Sequence, residues 1–274
     1  MVQESEPPIV RVQGISKTFP AAGGLFARYA DPVIALSDVS LEVAAGRTLA
    51  VVGESGSGKT TLGRCIAGIH NPSSGSIFYR GQPISRSILR RDRKARRAIQ
   101  MIFQDPAASL NPRQRVGRLI GEPLAVHAIV PPDQIARRVE ELLDAVGLGA
   151  TAATKFPHEF SGGQKQRVAI ARALSMEPEV LICDEAVSAL DVSVQAQIVN
   201  LLKDLQRERR LTYLFISHDM AVVRHIADAI AVMQSGRLVE LGETEALFRA
   251  PRFPYTRSLL DAVPRGISLY RSRN

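Results

Sequence analysis

The stretch GESGSGKT at 53–60 constrains this chain more than any other, because it follows directly on the apolar run TLAVV at 48–52. It fits G-x-x-x-x-G-K-[ST], the pattern of a loop that joins a buried strand to a helix and cradles phosphate. Gly53, Gly56 and Gly58 let the backbone wrap close to an anion without Cβ obstruction. Together with Glu54, Ser55 and Ser57 they give a run of N–H groups that, with the N-terminus of the helix predicted over 59–69, point at phosphate oxygens. Lys59 supplies a cation for the β and γ phosphates, and the Thr60 hydroxyl is placed to ligate Mg²⁺. Thr61 completes the first turn, and it also excludes a dinucleotide fingerprint, since G-x-G-x-x-G would need glycine there. The pattern predicts a bound nucleoside triphosphate.

A second half of such a site lies in VLICDE at 180–185. Four apolar residues predict a buried strand, and open α/β sheets bind ligands at the carboxyl ends of their strands. Asp184 stands at that end, suited to hold Mg²⁺ through water, and Glu185 is suited to polarise a water attacking the γ-phosphate. Further strands are predicted near 9–13, 39–43, 99–103, 213–217 and 229–233, and helices near 133–146, 161–176 and 192–208. Strands alternating with helices predict an α/β fold with a largely parallel sheet. In the 192–208 segment Val194, Ile198, Leu201 and Leu205 are expected to form the apolar face. Residues 105–160 carry helical patterns, several prolines and no convincing strand, which predicts a helical insertion.

Composition matters mainly for what it excludes. The chain has 274 residues, 35 Lys plus Arg against 27 Asp plus Glu, two Cys and no Trp. These proportions predict a globular chain that buries its own core. No apolar run reaches the ~18 residues of a membrane helix. The start MVQESEPP lacks the basic flank and apolar stretch of a secretory signal. Cys65 and Cys183 sit among apolar neighbours and read as small buried hydrophobes. The net charge of +8 gathers partly in Arg86, Arg90, Arg91, Arg93, Lys94, Arg96 and Arg97, with Arg265, Arg271 and Arg273 near the end. No aromatic residue interleaves with that run, so it reads as a solvated face and not as a nucleic-acid platform.

Three more elements complete a known order. FSGGQKQR at 160–167 opens a helix before the Asp184 strand, Gln104 ends a strand within FQDP, and His218 follows a strand within SHD. With SALD at 188–191, these motifs resemble the nucleotide-binding subunit of ATP-binding-cassette proteins over nearly the whole chain. The resemblance implies a P-loop NTPase core with a mixed, mainly parallel sheet, an N-terminal antiparallel β subdomain and a helical insertion subdomain. Core and β subdomain would occupy 1–104 and 161–241, the helical subdomain 105–160, and a C-terminal extension 242–274. It implies ATP and Mg²⁺ sandwiched in a head-to-tail dimer. Ser161, Gly162, Gly163 and Gln164 would cap the γ-phosphate of the partner's nucleotide, and Asp191 would cross the interface. Gln104 would sense Mg²⁺ and the attacking water, and His218 would contact the γ-phosphate. For the adenine-stacking aromatic Phe19 is the first choice, with Phe26 and Tyr29 behind it.

FQDPAASLNPR at 103–113 and GETEALFRAPRFPYTRSLLDAVP at 242–264 look like the ATPases of dipeptide, oligopeptide and nickel importers. Departures are Ala186, where the family has proline, and Phe160, where the signature begins with leucine. Neither removes a phosphate ligand. The resemblance implies ATP hydrolysis on the cytoplasmic face of the inner membrane, as a peripheral subunit energising import of peptides or of nickel or opine-like solutes. Implied partners are two membrane permeases, a paralogous second ATPase or a second copy of this chain, and indirectly a solute-binding protein, without nucleic acid. Ala107, Ala108 and Leu110, between Pro106 and Pro112, are expected to be exposed and to receive a cytoplasmic helix of a permease. Two alternatives stand beside this. A soluble cassette ATPase on nucleic acid or ribosomes would carry a split or doubled cassette. Another P-loop enzyme would be a GTPase, which would carry an N/T-K-x-D motif that does not occur, or a kinase, which would not need FSGGQ.

Overall fold

The computed structural model describes residues 7–20, 32–85, 87 and 92–261. Phe26, Tyr29, Arg86, Arg90, Arg91, Arg265, Arg271 and Arg273 lie outside the described residues. In chain order the described strands are β1 (Val10–Phe19), β2 (Val33–Val43), β3 (Thr48–Val52), β4 (Ser74–Tyr79), β5 (Gln82–Ile84), β6 (Ile99–Ile102), β7 (Val180–Asp184), β8 (Thr212–Ile216), β9 (Ala229–Gln234) and β10 (Arg237–Glu243). The described residues fall into two compact units, those within Met1–Asp92 and Leu214–Pro264 and those within Arg93–Tyr213.

The first unit holds an antiparallel sheet in the order β2-β1-β4-β5. Val10 and Val12 of β1 are buried while Arg11 and Gln13 face out, the two-residue period of a half-covered strand. Val10 pairs with Val43 on one side and Tyr79 on the other. A second arrangement in this unit sets β3 parallel to β9, Leu49 opposite Ala229 through Val52 opposite Val232, and β9 antiparallel to β10. All five residues of β3 are buried, as a continuous apolar run in a covered parallel sheet should be. Ser235 and Gly236 turn β9 into β10 with φ of 47° and 78°, the left-handed pair of a two-residue hairpin.

Helices finish this unit. Asp219 opens the helix Met220–Ile226 by accepting from the N–H groups of Ala221 at 2.8 Å and Val222 at 3.2 Å. The apolar residues Ala50, Val52, Met220, Val223, Ile230, Val232 and Leu247 pack together, with Phe248, Tyr255, Leu259 and Leu260 against them. The last four come from the helices Thr244–Arg249 and Pro254–Asp261. Glu240 of β10 receives the N–H of Arg252 at 2.9 Å and of Phe253 at 3.4 Å, which satisfies the donors just before the helix Pro254–Asp261.

In the second unit β6 runs parallel to β7, with Ile99 opposite Val180 through Ile102 opposite Cys183. Around them lie the helices Val116–Val126, Ile135–Ala145, Gly162–Leu174 and Val192–Arg209. No strand occurs among the described residues 105–160. Gly117 and Gly121 let Val116–Val126 approach closely, since a Cβ would meet Ala153 O at 3.0 Å and Ile135 Cγ2 at 3.1 Å. Arg93–Ala98 buries Ala95 and Ala98 and exposes Arg93, Lys94 and Arg96. Arg97 pairs with Glu177 at 3.2 Å.

The structure departs from two sequence expectations. The buried stripe of Val192–Arg209 is Ile198, Val199, Leu202 and Leu205, with Val194 and Leu201 only half-buried. On that buried face the fully buried Tyr213 donates its hydroxyl to Leu202 O at 2.8 Å. Leu110 is not an exposed docking residue: only 2% of it is accessible, so it caps the core of its own unit. Arg172 fixes the neighbouring turn by donating to Ser109 O at 2.7 Å.

Candidate functional site

The phosphate loop is held from behind by the β9–β10 hairpin. The Gly236 N–H donates to Ser57 O at 3.0 Å, and a Cβ on Gly53 would lie 2.1 Å from Met233 O. On Gly58 it would lie 2.5 Å from Ala35 O. Both glycines take positive φ, 144° and 102°, so glycine is needed at each for conformation and for space. Gly56, at φ 81°, faces open space, with nothing within 4 Å of a built Cβ. Glu54, Ser55 and Gly56 are exposed along the outer edge, while Ser57 is buried.

Lys59 is buried, and its ammonium donates to Gly53 O at 2.8 Å, Glu54 O at 2.7 Å and Ser57 Oγ at 3.4 Å. The cation is therefore held at the rim of its own loop by carbonyls that phosphate oxygens can replace. The helix Lys59–Ile66 starts at Gly58 without a side-chain cap, and its first internal bond is Leu62 N–H to Gly58 O at 2.9 Å. Lys59, Thr60 and Thr61 thus form a first turn whose N–H groups precede the helical ladder, where a dipole favours an anion. On the opposite edge of the loop the Glu54 N–H donates to the Tyr255 hydroxyl at 3.1 Å.

Phe19 ends β1, half-buried, with the His70 ring edge-on at 5.3 Å and the Lys17 ammonium 4.9 Å from its centroid. A half-exposed ring at a strand end can stack on a base. His218 is exposed just past β8. Ser217 before it donates its N–H to Val51 O at 3.2 Å, so His218 emerges beside the residues that lead into the phosphate loop. Cys65 is buried and its thiol is pushed up to about 11, first by burial.

In the second unit Asp184 closes β7 and is 2% accessible. Glu185 follows with φ of 47°, an uncommon conformation for a residue with a Cβ. The turn is fixed by Ser188, whose N–H and hydroxyl both reach Glu185 O, at 3.1 and 3.0 Å. The left-handed residue turns the chain at the strand end, and Gln104 Nε2 donates to Glu185 Oε2 at 2.8 Å. Sequence motifs 81 residues apart are joined by that bond. Cys183, fully buried beside Asp184, has its thiol pushed up to about 12 by burial and then by that carboxylate. It is inert, as a low thiolate fraction requires.

Ser161 caps the helix Gly162–Leu174 reciprocally. Its Oγ accepts from Gln164 N at 3.4 Å, and Gln164 Oε1 accepts from Ser161 N at 3.0 Å. Ser161 and Gly162 are exposed at this N-terminus. A Cβ on Gly163 would lie 2.4 Å from Val194 Cγ1, so the glycine sets how closely Val192–Arg209 approaches. Asp191, exposed at the N-cap of that helix, makes no side-chain cap bond.

The donor set suits Mg²⁺. No group of three or more His, Cys, Asp or Glu among the described residues could hold a metal ion. Mg²⁺ needs no such cage, because it keeps several waters and is held by one or two carboxylates and substrate phosphates. A buried carboxylate at a strand end, Asp184, is the hard oxygen donor this requires.

Sequence reasoning missed Tyr255 and the hairpin that backs the loop. Tyr255 stood in the segment PYTRSLL, read only as a mark of class, and no local pattern places it 201 residues back, on Glu54.

The family described as ABC transporter matches residues 36–188. The glutathione import ATP-binding protein GsiA of Salmonella choleraesuis is 52% identical over 263 residues, covering 96% of this chain and 42% of that protein. Its counterpart in Escherichia coli K12 is 51% identical over 257 residues, covering 94% and 41%. The chain therefore spans about two fifths of the length of these curated relatives. Among solved structures, cbiO1 from Clostridium perfringens, part of the ABC transporter complex cbiONQ, superposes with a TM-score of 0.76 at 31% identity, covering 93% of this chain and all of that one. The ATP-binding cassette MJ0796, solved as a dimer bound to ADP and Pi, gives 0.74 at 28% identity over 86% of this chain and 98% of its own.

Proposed function

The chain belongs to the ABC transporter family, and from that premise we propose that it is the ATP-hydrolysing, energy-coupling subunit of a membrane importer for peptides or related small solutes. The observation that carries this reading is the 52% identity, over 96% of the chain, to a protein named for glutathione import. Glutathione is a tripeptide, so the relative's cargo falls in the class suggested by FQDPAASLNPR and the C-terminal segment.

The proposed chemistry assigns each residue a task. Gly53 to Thr61, with Lys59 at the centre, hold the β and γ phosphates, and Lys59 exchanges loop carbonyls for phosphate oxygens. Phe19 stacks on the adenine. Glu185 orients and polarises the attacking water. Gln104, bonded to Glu185, keeps the carboxylate aimed and ties it to the chain that follows, and His218 contacts the γ-phosphate. Asp184, Thr60 and Gln104 would hold Mg²⁺, which, when bound, neutralises charge on the phosphate oxygens. Ser161, Gly162, Gly163 and Gln164 offer donors to ATP bound by a second ATPase subunit, paralogous or identical, and Asp191 meets that subunit.

Two permeases complete the proposed assembly at the cytoplasmic face of the inner membrane, with a solute-binding protein acting through them. No helix among the described residues is long and apolar enough to cross a membrane, which suits a peripheral subunit. The contact with a permease helix belongs not on Leu110 but in a groove of about 360 Å³ in the second unit. Phe103, Pro123, Val126 and Met176 line it, and Phe103 and Val126 are 39% and 65% exposed. Purification of the tagged chain from its own membranes should bring down two polytopic proteins, and Val126→Glu should release the chain from them while ATP binding persists. Recovery of the chain only with nucleic acid or soluble proteins would overturn the importer reading.

A further inference from the structure

The peptide group between Gly53 and Glu54 is gripped on both edges. Its carbonyl receives the Lys59 ammonium at 2.8 Å, and its N–H donates to the Tyr255 hydroxyl at 3.1 Å. These bonds leave one planar unit in opposite directions, so the hydroxyl on one side fixes where the carbonyl, and with it the cation, points on the other. Gly53 makes this control necessary. At φ 144° with no Cβ it can rotate the following peptide more freely than any other residue could.

Tyr255 is itself well anchored. Its ring packs on the cluster that includes Val52 and Leu247. Its helix, Pro254–Asp261, begins next to Arg252 and Phe253, whose N–H groups are held by Glu240. The preceding helix is fastened as well: Glu245 takes two bonds from the Arg224 guanidinium, at 3.1 and 3.0 Å. Thr244 donates to Ala227 O at 2.9 Å. A hydroxyl carried on such a support is a rigid stop for the loop.

We propose that Tyr255 is a positioning residue of the phosphate loop, its hydroxyl holding the Gly53–Glu54 peptide in the orientation that presents Lys59 to the β and γ phosphates. The C-terminal segment then sets nucleotide affinity. This rests on the ATP site proposed above.

Tyr255→Phe in the full chain tests it, because the ring and its packing stay while the acceptor is lost. The affinity for a non-hydrolysable ATP analogue should fall roughly 3- to 10-fold, the range of one lost hydrogen bond. AMP, which has no β or γ phosphate for Lys59, should lose less than about 2-fold on the same grounds. The thermal midpoint should stay near that of the wild type, and the Glu54 amide should lose protection from hydrogen exchange. Unchanged affinity for the ATP analogue, or a retained Glu54 protection, would overturn the role of Tyr255 alone. Equal losses for ATP analogue and AMP together with a lowered midpoint would make Tyr255 a packing residue and would also overturn it. A wild-type chain that fails to bind the analogue would overturn the ATP site itself, a distinct result.

Discussion

Replacing Gly53 by alanine puts a methyl group where the structure has a carbonyl. The new Cβ would sit 2.1 Å from Met233 O and 2.9 Å from Ser57 Oγ, with φ at 144°. Backbone at that angle costs a residue with a Cβ about 1–3 kcal/mol. Relieving the contact means displacing β9 from the loop, an overpacking cost of about 1–3 kcal/mol. The displaced hairpin also carries the Gly236 to Ser57 bond, worth about 1 kcal/mol. Together these give roughly 3–7 kcal/mol, a drop in thermal midpoint of about 6–28 °C at about 2–4 °C per kcal/mol. Gly56→Ala is the matched control, since φ is 81° there and nothing lies within 4 Å. Only the left-handed penalty of about 1–2 kcal/mol applies, a shift of a few degrees. Calorimetry or circular dichroism melts of both variants decide it. Equal melting of the two would refute the packing of the loop against β9.

Lys59→Ala should weaken binding of a labelled ATP analogue by more than about 10-fold, because a charge-assisted contact to phosphate is lost; a titration with unchanged affinity would remove Lys59 from the phosphate site. Ser161→Arg, tested in mixed dimers with the partner ATPase, should silence the site whose phosphate loop belongs to the other subunit. Loss confined to the mutated chain's own phosphate loop would refute a composite site.

Much of this structure was legible because burial writes itself into runs and periods. TLAVV, VLICD and AIAVM are uninterrupted apolar runs, and each became a buried strand. Ser74–Tyr79 and Arg237–Glu243 escaped notice, because glycine, serine and charge dilute the alternation of half-exposed strands. Val116–Val126 is helical despite Gly117, Gly121 and Pro123, residues that oppose helix, because tertiary contact overrides them. Leu110 was misplaced since a leucine between prolines reads alike as exposed loop or as cap to a core. Gln104, Glu185, Lys59 and Ser161 are candidates named by motif alone. The bond between Gln104 and Glu185, the hairpin behind Gly53 and the hydroxyl of Tyr255 required the fold, because each joins residues far apart in sequence.

The proposal that this chain hydrolyses ATP with Glu185 as its water-orienting group is tested most directly by phosphate release from Mg²⁺-ATP, comparing the wild type with Glu185→Gln. Glutamine keeps an oxygen to accept from Gln104 Nε2, now 2.8 Å from the carboxylate, so the fold and ATP affinity should persist. Hydrolysis should fall by about 10² to 10⁴, the usual cost of losing a general base, with ATP-bound dimers accumulating. A Glu185→Gln chain that releases phosphate within a few-fold of the wild type would contradict the account.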